Sequence, residues 1–283
     1  MHGLGNDFLV VDARAEPFVI GPAAVRALAD RRRGIGFDQL IVIEPPRAGE
    51  DAFMRIFNAD GGEVAACGNA TRCIARLIFE ETGKPIAKMR TTAGLLIGRP
   101  SDGDAISVDI GAPKFDWKDI PLAERMDTRT LDLQIGPIDD PILRQPSAVN
   151  VGNPHCIFFV ERADAFDLEK IGPLVENHPL FPERCNASLA EIRAPDQIRL
   201  RVWERGAGIT GACGTAACAS VAAAARRGLA GRHATVELDG GPLDIEWRTE
   251  DDHIVMTGPA AQTYTGEIDP SLLSSDGQLA ARA

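Results

Sequence analysis

Short apolar runs bounded by Gly, Pro or Asp recur along the chain. They are FLVV (8–11), QLIVIE (39–44), FMRIFN (53–58), AISVDI (105–110), CIFFV (156–160), QIRLRVW (197–203), ATVEL (234–238) and HIVMT (253–257). Their β-branched content and partial alternation predict strands. A slower periodicity predicts three helices. One covers 22–33, with Pro22 at its first turn and Gly34 beyond its end. A second covers 68–82, with Cys73, Ile74, Leu77 and Ile78 at helical spacing and Gly83 as the stop. The third, 214–227, ends in Arg226-Arg227 before Gly228 and is almost all alanine on its inner turns. Side chains that small predict a helix closely enclosed by sheet.

The same signals recur at a nearly constant interval. Gly5-Asn6 matches Gly152-Asn153 at a shift of 147, Cys67-Gly68 matches Cys213-Gly214 at 146, and Val108 and Gly111 match Val255 and Gly258 at 147. Three separated matches at one shift predict two homologous lobes. Their motifs lie in about 1–115 and 146–265, and a connecting segment 116–146 joins them. The domain boundaries expected are 1–145 for the N-terminal lobe with its connection and 146–283 for the C-terminal lobe with its tail. The tail after 270 is expected to be poorly ordered. The fold class is α+β, each lobe a curved sheet around one central helix.

Composition narrows the function. A net charge of −11 argues against nucleic-acid and anionic-membrane partners, which require a basic face. It leaves room for a small-molecule substrate, which responds to local donors. No apolar run reaches the ~20 residues of a membrane span, and the first residues lack a signal-peptide pattern. A cytoplasmic location with reduced cysteines is therefore expected. The cysteines at 67, 73, 156, 185, 213 and 218 show no zinc spacing, so a structural metal site is not expected.

Cys67 and Cys213 each stand at the predicted start of a helix. Backbone N–H groups there are unpaired and the helix dipole adds partial positive charge. A thiol pKa lowered toward neutrality is expected. The amides of Gly68-Asn69 and Gly214-Thr215 suit a carboxylate. If both helix starts flank one ligand, one thiolate can remove an α-proton while the other thiol returns one to the opposite face. Small buried cysteines are also common core residues. That reading suits Cys73, Cys156, Cys185 and Cys218, whereas repeat register sets Cys67 and Cys213 apart. Asn6, Asn58, Asn153, His155, Asn186, Glu204 and Arg205 lie in loops or at strand ends. Asn58 and Glu204 each precede their cysteine by nine residues. Glu204 suits an α-ammonium and Arg205 a bidentate carboxylate contact.

The motifs MHGLGNDF, GIGFDQL, NADGGEVAACGN, VGNPHC, FPERCNASL and ERGAGITGACGTAACA, spread from residue 1 to about 265, together resemble the diaminopimelate epimerase family. The resemblance implies two pseudo-symmetric lobes, each a mixed, barrel-like sheet around a central helix. It implies interconversion of LL- and meso-diaminopimelate for lysine and peptidoglycan synthesis, without pyridoxal phosphate or metal, commonly by a homodimer. Cys67 and Cys213 would be the acid/base pair, supported by His155 and Glu204. Gly68, Asn69, Gly214 and Thr215 would hold the reacting carboxylate. Asn6, Gln39 and Glu204 would surround the reacting amino group. Asn58, Asn153, Asn186 and Arg205 would hold the distal end. Ala216 stands where glycine is frequent in the family. Three other readings stay open: a proline-type racemase of the same fold, a phenazine-type isomerase, which lacks the cysteine pair, and a non-catalytic amino-acid-binding protein.

Overall fold

A computed structural model describes residues 1–273. The chain divides into two compact units, Met1–Ile106 together with Pro259–Ala283, and Ser107–Gly258.

Unit 1 is built on strands β1 (His2–Gly3), β2 (Asn6–Asp12), β3 (Gln39–Glu44), β4 (Ala52–Asn58), β5 (Glu63–Val64), β6 (Ala87–Thr91) and β7 (Gly94–Pro100), with helices α1 (Pro22–Ala29) and α2 (Gly68–Thr82). Its sheet order is β1-β2-β3-β4-β6-β7, with β5 on β4. β2 runs parallel to β3, and β4 parallel to β6. Four consecutive buried residues, Leu40 to Ile43, mark β3 as covered on both faces. Leu40 and Val42 join Val25 and Leu28 of α1 in one cluster, while α2 packs on β1, β6 and β7.

Unit 2 repeats this plan. Its strands are β8 (Ala105–Asp109), the small hairpin β9 (Gln134–Ile135) and β10 (Leu143–Arg144), β11 (Ser147–Asn150), β12 (Pro154–Phe159), β13 (Asn186–Ala194), β14 (Gln197–Glu204), β15 (Gly208–Ile209), β16 (His233–Leu238), β17 (Gly241–Trp247) and β18 (Ile254–Pro259). Its helices are α3 (Leu168–Glu176) and α4 (Gly214–Arg226). The order is β8-β18-β17-β16-β14-β13-β12-β11, with β15 on β14. Register carries the repeat residue by residue. Phe8 pairs with Gln39 and His155 with Asn186; Thr91 pairs with Gly94 and Leu238 with Gly241; all four positions are related by a shift of 147. α4 packs on β11, β12, β16 and β17, and Ala216, Ala217, Ala219 and Ala222 are fully buried. The enclosed helix expected from the alanine run is present. The strands of each unit pair in both parallel and antiparallel senses, and no closed barrel forms among the described residues.

Two expectations are corrected, at the end of the first helix and in the tail. The compact units follow other bounds than the expected division at 145/146. The connecting segment supplies Ile120, Leu122, Leu131 and Leu133 to the core of unit 2, beside Leu168, Ile171 and Val175 of α3, whereas Pro259 onward belongs to unit 1. The first helix ends at Ala29 rather than 33, because the Asp30 carboxylate accepts the amides of Arg32 (2.8 Å) and Arg33 (2.9 Å) and turns the chain. α3 was not expected, since Gly172-Pro173 inside it reads as a turn. In the tail, Pro270–Leu273 forms a 3₁₀ turn with Leu272 and Leu273 against the α1 cluster, and the remainder, 274–283, lies outside the described residues.

Candidate active site

Cys67 is the N-cap of α2, in extended conformation (φ −146°, ψ 113°), and is half-buried. Its carbonyl accepts the Thr71 amide (3.0 Å) and the Thr71 hydroxyl (2.8 Å), so the turn that presents the cysteine is held twice. The helix stops at Gly83, whose φ of 66° places it in the left-handed region and whose N–H returns to the Phe79 carbonyl.

Two residues after Cys67, Asn69 is 2 % exposed. Its Nδ2 donates to Asn6 Oδ1 (3.2 Å), and Asn6 Nδ2 donates to Asp38 Oδ2 (2.9 Å). Arg72, fully buried, donates to Asn69 Oδ1 (2.9 Å) and to the Pro259 carbonyl (3.2 Å). A buried guanidinium thus fixes which end of the Asn69 amide faces Asn6. Gln39 and Asn58 sit opposite each other on β3 and β4, with Gln39 Nε2 donating to Asn58 Oδ1 (2.8 Å). Gln39 Oε1 is buried and has no protein partner, a condition that normally costs free energy unless a ligand or water supplies a donor. Asn6 is therefore hydrogen-bonded to Asn69, and Gln39 to Asn58, pairings that cross the groups the sequence suggested. Asp38 and Arg72 were missed. The available signal was an arginine on the buried face of α2, three residues after Asn69.

In unit 2, Cys213 is the N-cap of α4 (φ −118°, ψ 106°) and is 4 % exposed. Its carbonyl accepts the Ala217 amide (3.1 Å), and its Sγ lies 3.5 Å from Thr215 Oγ1. Burial pushes the thiol well above its ordinary pKa, and the Glu204 charge adds to the push. The Thr215 and Ala216 donors pull it down by less. The lowered pKa expected from the helix terminus is thus reversed at Cys213, because desolvation outweighs the dipole. Glu204 itself accepts a short hydrogen bond from the Thr210 hydroxyl.

His155 is fully buried, with Nε2 2.7 Å from Asn153 Oδ1 and Nδ1 without a protein partner. An amide oxygen can only accept, so Nε2 carries the proton. Burial, and then the Arg205 charge, lower its pKa to about 3, which keeps the ring neutral. Asn186 lies beside His155 in register, donates to the Pro154 carbonyl (3.1 Å) and accepts the Arg205 amide (2.9 Å). It therefore clamps β12 to the loop after β14. The Arg205 guanidinium donates to the Glu183 carbonyl (2.9 Å), and no carboxylate among the described residues pairs with it. Elsewhere in unit 2, Asp109, Asp251 and His253 bring donor atoms within 4.8 Å of one another, but Arg248 already bridges both carboxylates (2.5 and 2.7 Å).

A sheet-and-helix unit present twice, with a cysteine capping the central helix each time, defines a fold shared with solved racemases and epimerases. A hydroxyproline epimerase from Agrobacterium vitis superposes with a TM-score of 0.64 at 17 % identity, over 91 % of this chain and 86 % of that one. A probable proline racemase from Agrobacterium radiobacter gives 0.66 at 18 %, over 95 % and 92 %. The model of the diaminopimelate epimerase family matches residues 1–115 and 147–263. Diaminopimelate epimerase of Rhodospirillum centenum is 52 % identical over 274 residues, covering 96 % of this chain and 92 % of that protein. That of Acidiphilium cryptum is 53 % identical over 274 residues, covering 97 % and 96 %. The chain belongs to the diaminopimelate epimerase family.

Proposed function

We propose that this protein is an isomerase that interconverts LL- and meso-diaminopimelate by moving the α-proton between two cysteines. The observation that carries the reading is the cysteine N-cap on the central helix of each repeat. In one direction a Cys67 thiolate takes the α-proton and the Cys213 thiol delivers its own to the opposite face. The reverse direction exchanges these roles, so no net proton is consumed. Amides at the starts of α2 and α4 receive the reacting carboxylate and the negative charge that develops on it.

Glu204 suits the α-ammonium. Pairing there offsets the charge that helps to hold Cys213 protonated, so substrate arrival itself eases loss of that proton. Neutral His155 and Asn153 supply hydrogen bonds without competing for the proton. Arg205, which pairs with no carboxylate among the described residues, suits the distal carboxylate. Asn58 and Asn186 suit the polar distal end, and Asn6 and Gln39 join Glu204 about the reacting amino group. Neither pyridoxal phosphate nor metal has a part in this scheme. A homodimer in the cytoplasm goes with it, and light scattering during size-exclusion chromatography decides the oligomeric state.

Proton NMR of LL-diaminopimelate with the protein in heavy water tests the reading. The expected result is loss of the α-proton signal as the meso isomer appears. Conversion without deuterium at the α-carbon would reject the two-base scheme. L-Proline and trans-4-hydroxy-L-proline, suggested by the shared fold, are expected to show no exchange.

A further inference from the structure

We infer that Glu176, at the C-terminal end of α3, is a positioning residue that sets Arg205 and so selects a substrate with a second charged end. The inference rests on the functional reading above for its substrate, and on the following geometry for its mechanism.

Glu176 is 5 % exposed, and its carboxylate sits in the last turn of a helix, where the dipole disfavours negative charge. A buried carboxylate in that position needs donors, and it has three. Oε1 accepts the Gly206 amide (3.0 Å) and the Arg184 guanidinium (3.1 Å), and Oε2 accepts Trp203 Nε1 (2.7 Å). Two of these donors flank the Glu204-Arg205 pair in the chain, one on each side. The loop they bracket is tight. The Ala207 amide returns to the Glu204 carbonyl (3.1 Å), Glu204 pairs with Gly208, and Gly206 has a φ of 77°. On the other side, Asn186 accepts the Arg205 amide. Two successive residues, Arg205 and Gly206, thus have a backbone N–H directed at a side chain of the scaffold.

Packing supports the same purpose. A Cβ on Gly172 would fall 2.3 Å from the Trp203 ring, so this helix position must be glycine for the indole to reach Glu176. The repeat supplies an independent comparison. In unit 1 the corresponding loop follows Asn58, and its Asp60 carbonyl accepts Arg26 of α1 (3.0 Å). Asp60 and Gly206 are equivalent at the shift of 146 that relates the two cysteines. Each unit therefore ties the same loop position to its equivalent helix, α1 in unit 1 and α3 in unit 2. Unit 1 uses an exposed arginine, whereas unit 2 uses a buried carboxylate under the loop that carries Arg205.

Two variants test the assignment. Glu176→Gln leaves one N–H facing another N–H, whichever way the amide turns. Trp203→Phe keeps the ring and removes its donor. KM for LL-diaminopimelate should rise about tenfold in Glu176→Gln, with kcat within about threefold. Trp203→Phe should move KM in the same direction by less. A KM unchanged in both, or a fall in kcat alone, overturns the assignment. If Glu176→Gln does not fold, Trp203→Phe decides. Hydrogen exchange at the amides of residues 205–207 separates this from the functional reading. If the wild-type protein leaves diaminopimelate unchanged, that reading fails, while faster exchange of these amides in the variants still supports the clamp. Equal exchange removes it.

Discussion

His155 shows how one buried side chain ties the site to stability. In the unfolded chain its imidazole takes up a proton near its ordinary value of about 6.5, but in the folded protein only near 3. The folded pKa is lowered, so its contribution to stability is complete above about pH 6.5 and is lost as pH falls through that window. Urea unfolding of the wild type should show a steeper stability loss between about pH 6.5 and 5 than His155→Gln, which keeps a donor for Asn153. Parallel slopes would mean that the ring is not held neutral. Cys213 illustrates a limit of reading single residues. Its helix-cap position was legible and implied a lowered pKa, but burial depends on Ala212, Gly214 and Ala216 around it, all at most 1 % exposed or buried with it. Asp38 and Arg72 were missed for a related reason: each acts by orienting an asparagine, and only folding brings Asp38 to Asn6 or buries Arg72 beside Asn69.

At the scale of the elements, the strand facing each central helix differs in bulk between the repeats. In unit 1, β7 carries Gly98 against α2, and a Cβ there would lie 2.6 Å from the Ala75 Cβ. In unit 2 the equivalent position is the fully buried Ile245 of β17, which packs on alanine-rich α4. The strand residue is thus glycine against Ala75 in unit 1 and isoleucine at the same place in unit 2. Gly98→Ala should therefore destabilise by roughly 1–3 kcal/mol through overpacking, measured by denaturant unfolding, and a neutral result would show that β7 moves away freely. Much of this layer was readable in advance. β3 is where QLIVIE placed it, and α2 ends where Gly83 required. β6 and β7 were missed because Lys88, Arg90 and Arg99 interrupt their apolar positions, and α3 because its glycine serves Trp203 rather than a turn.

For the whole molecule, the repeat was legible from three short matches, but the true partition was not, because it depends on where the chain returns. Pro259 and Ala260 accept Arg72 and Arg76 of α2, and Ala261 pairs with His2. Removing everything after Gly258 should strip protection from α2 amides in hydrogen-exchange mass spectrometry while α4 keeps its own. Equal loss in both helices would mean that the returning segment is not specific to unit 1. The same closure sets an order of assembly during synthesis. Residues 107–258 form one continuous stretch and can complete their core as soon as Gly258 has left the ribosome. The first unit, although translated earlier, must keep Arg72 waiting for the Pro259 carbonyl until the chain has been made past that residue. Domains usually mature from the N-terminus onward. Here the later-made half is finished first, and the nascent first half is the part exposed longest to chaperones and proteases.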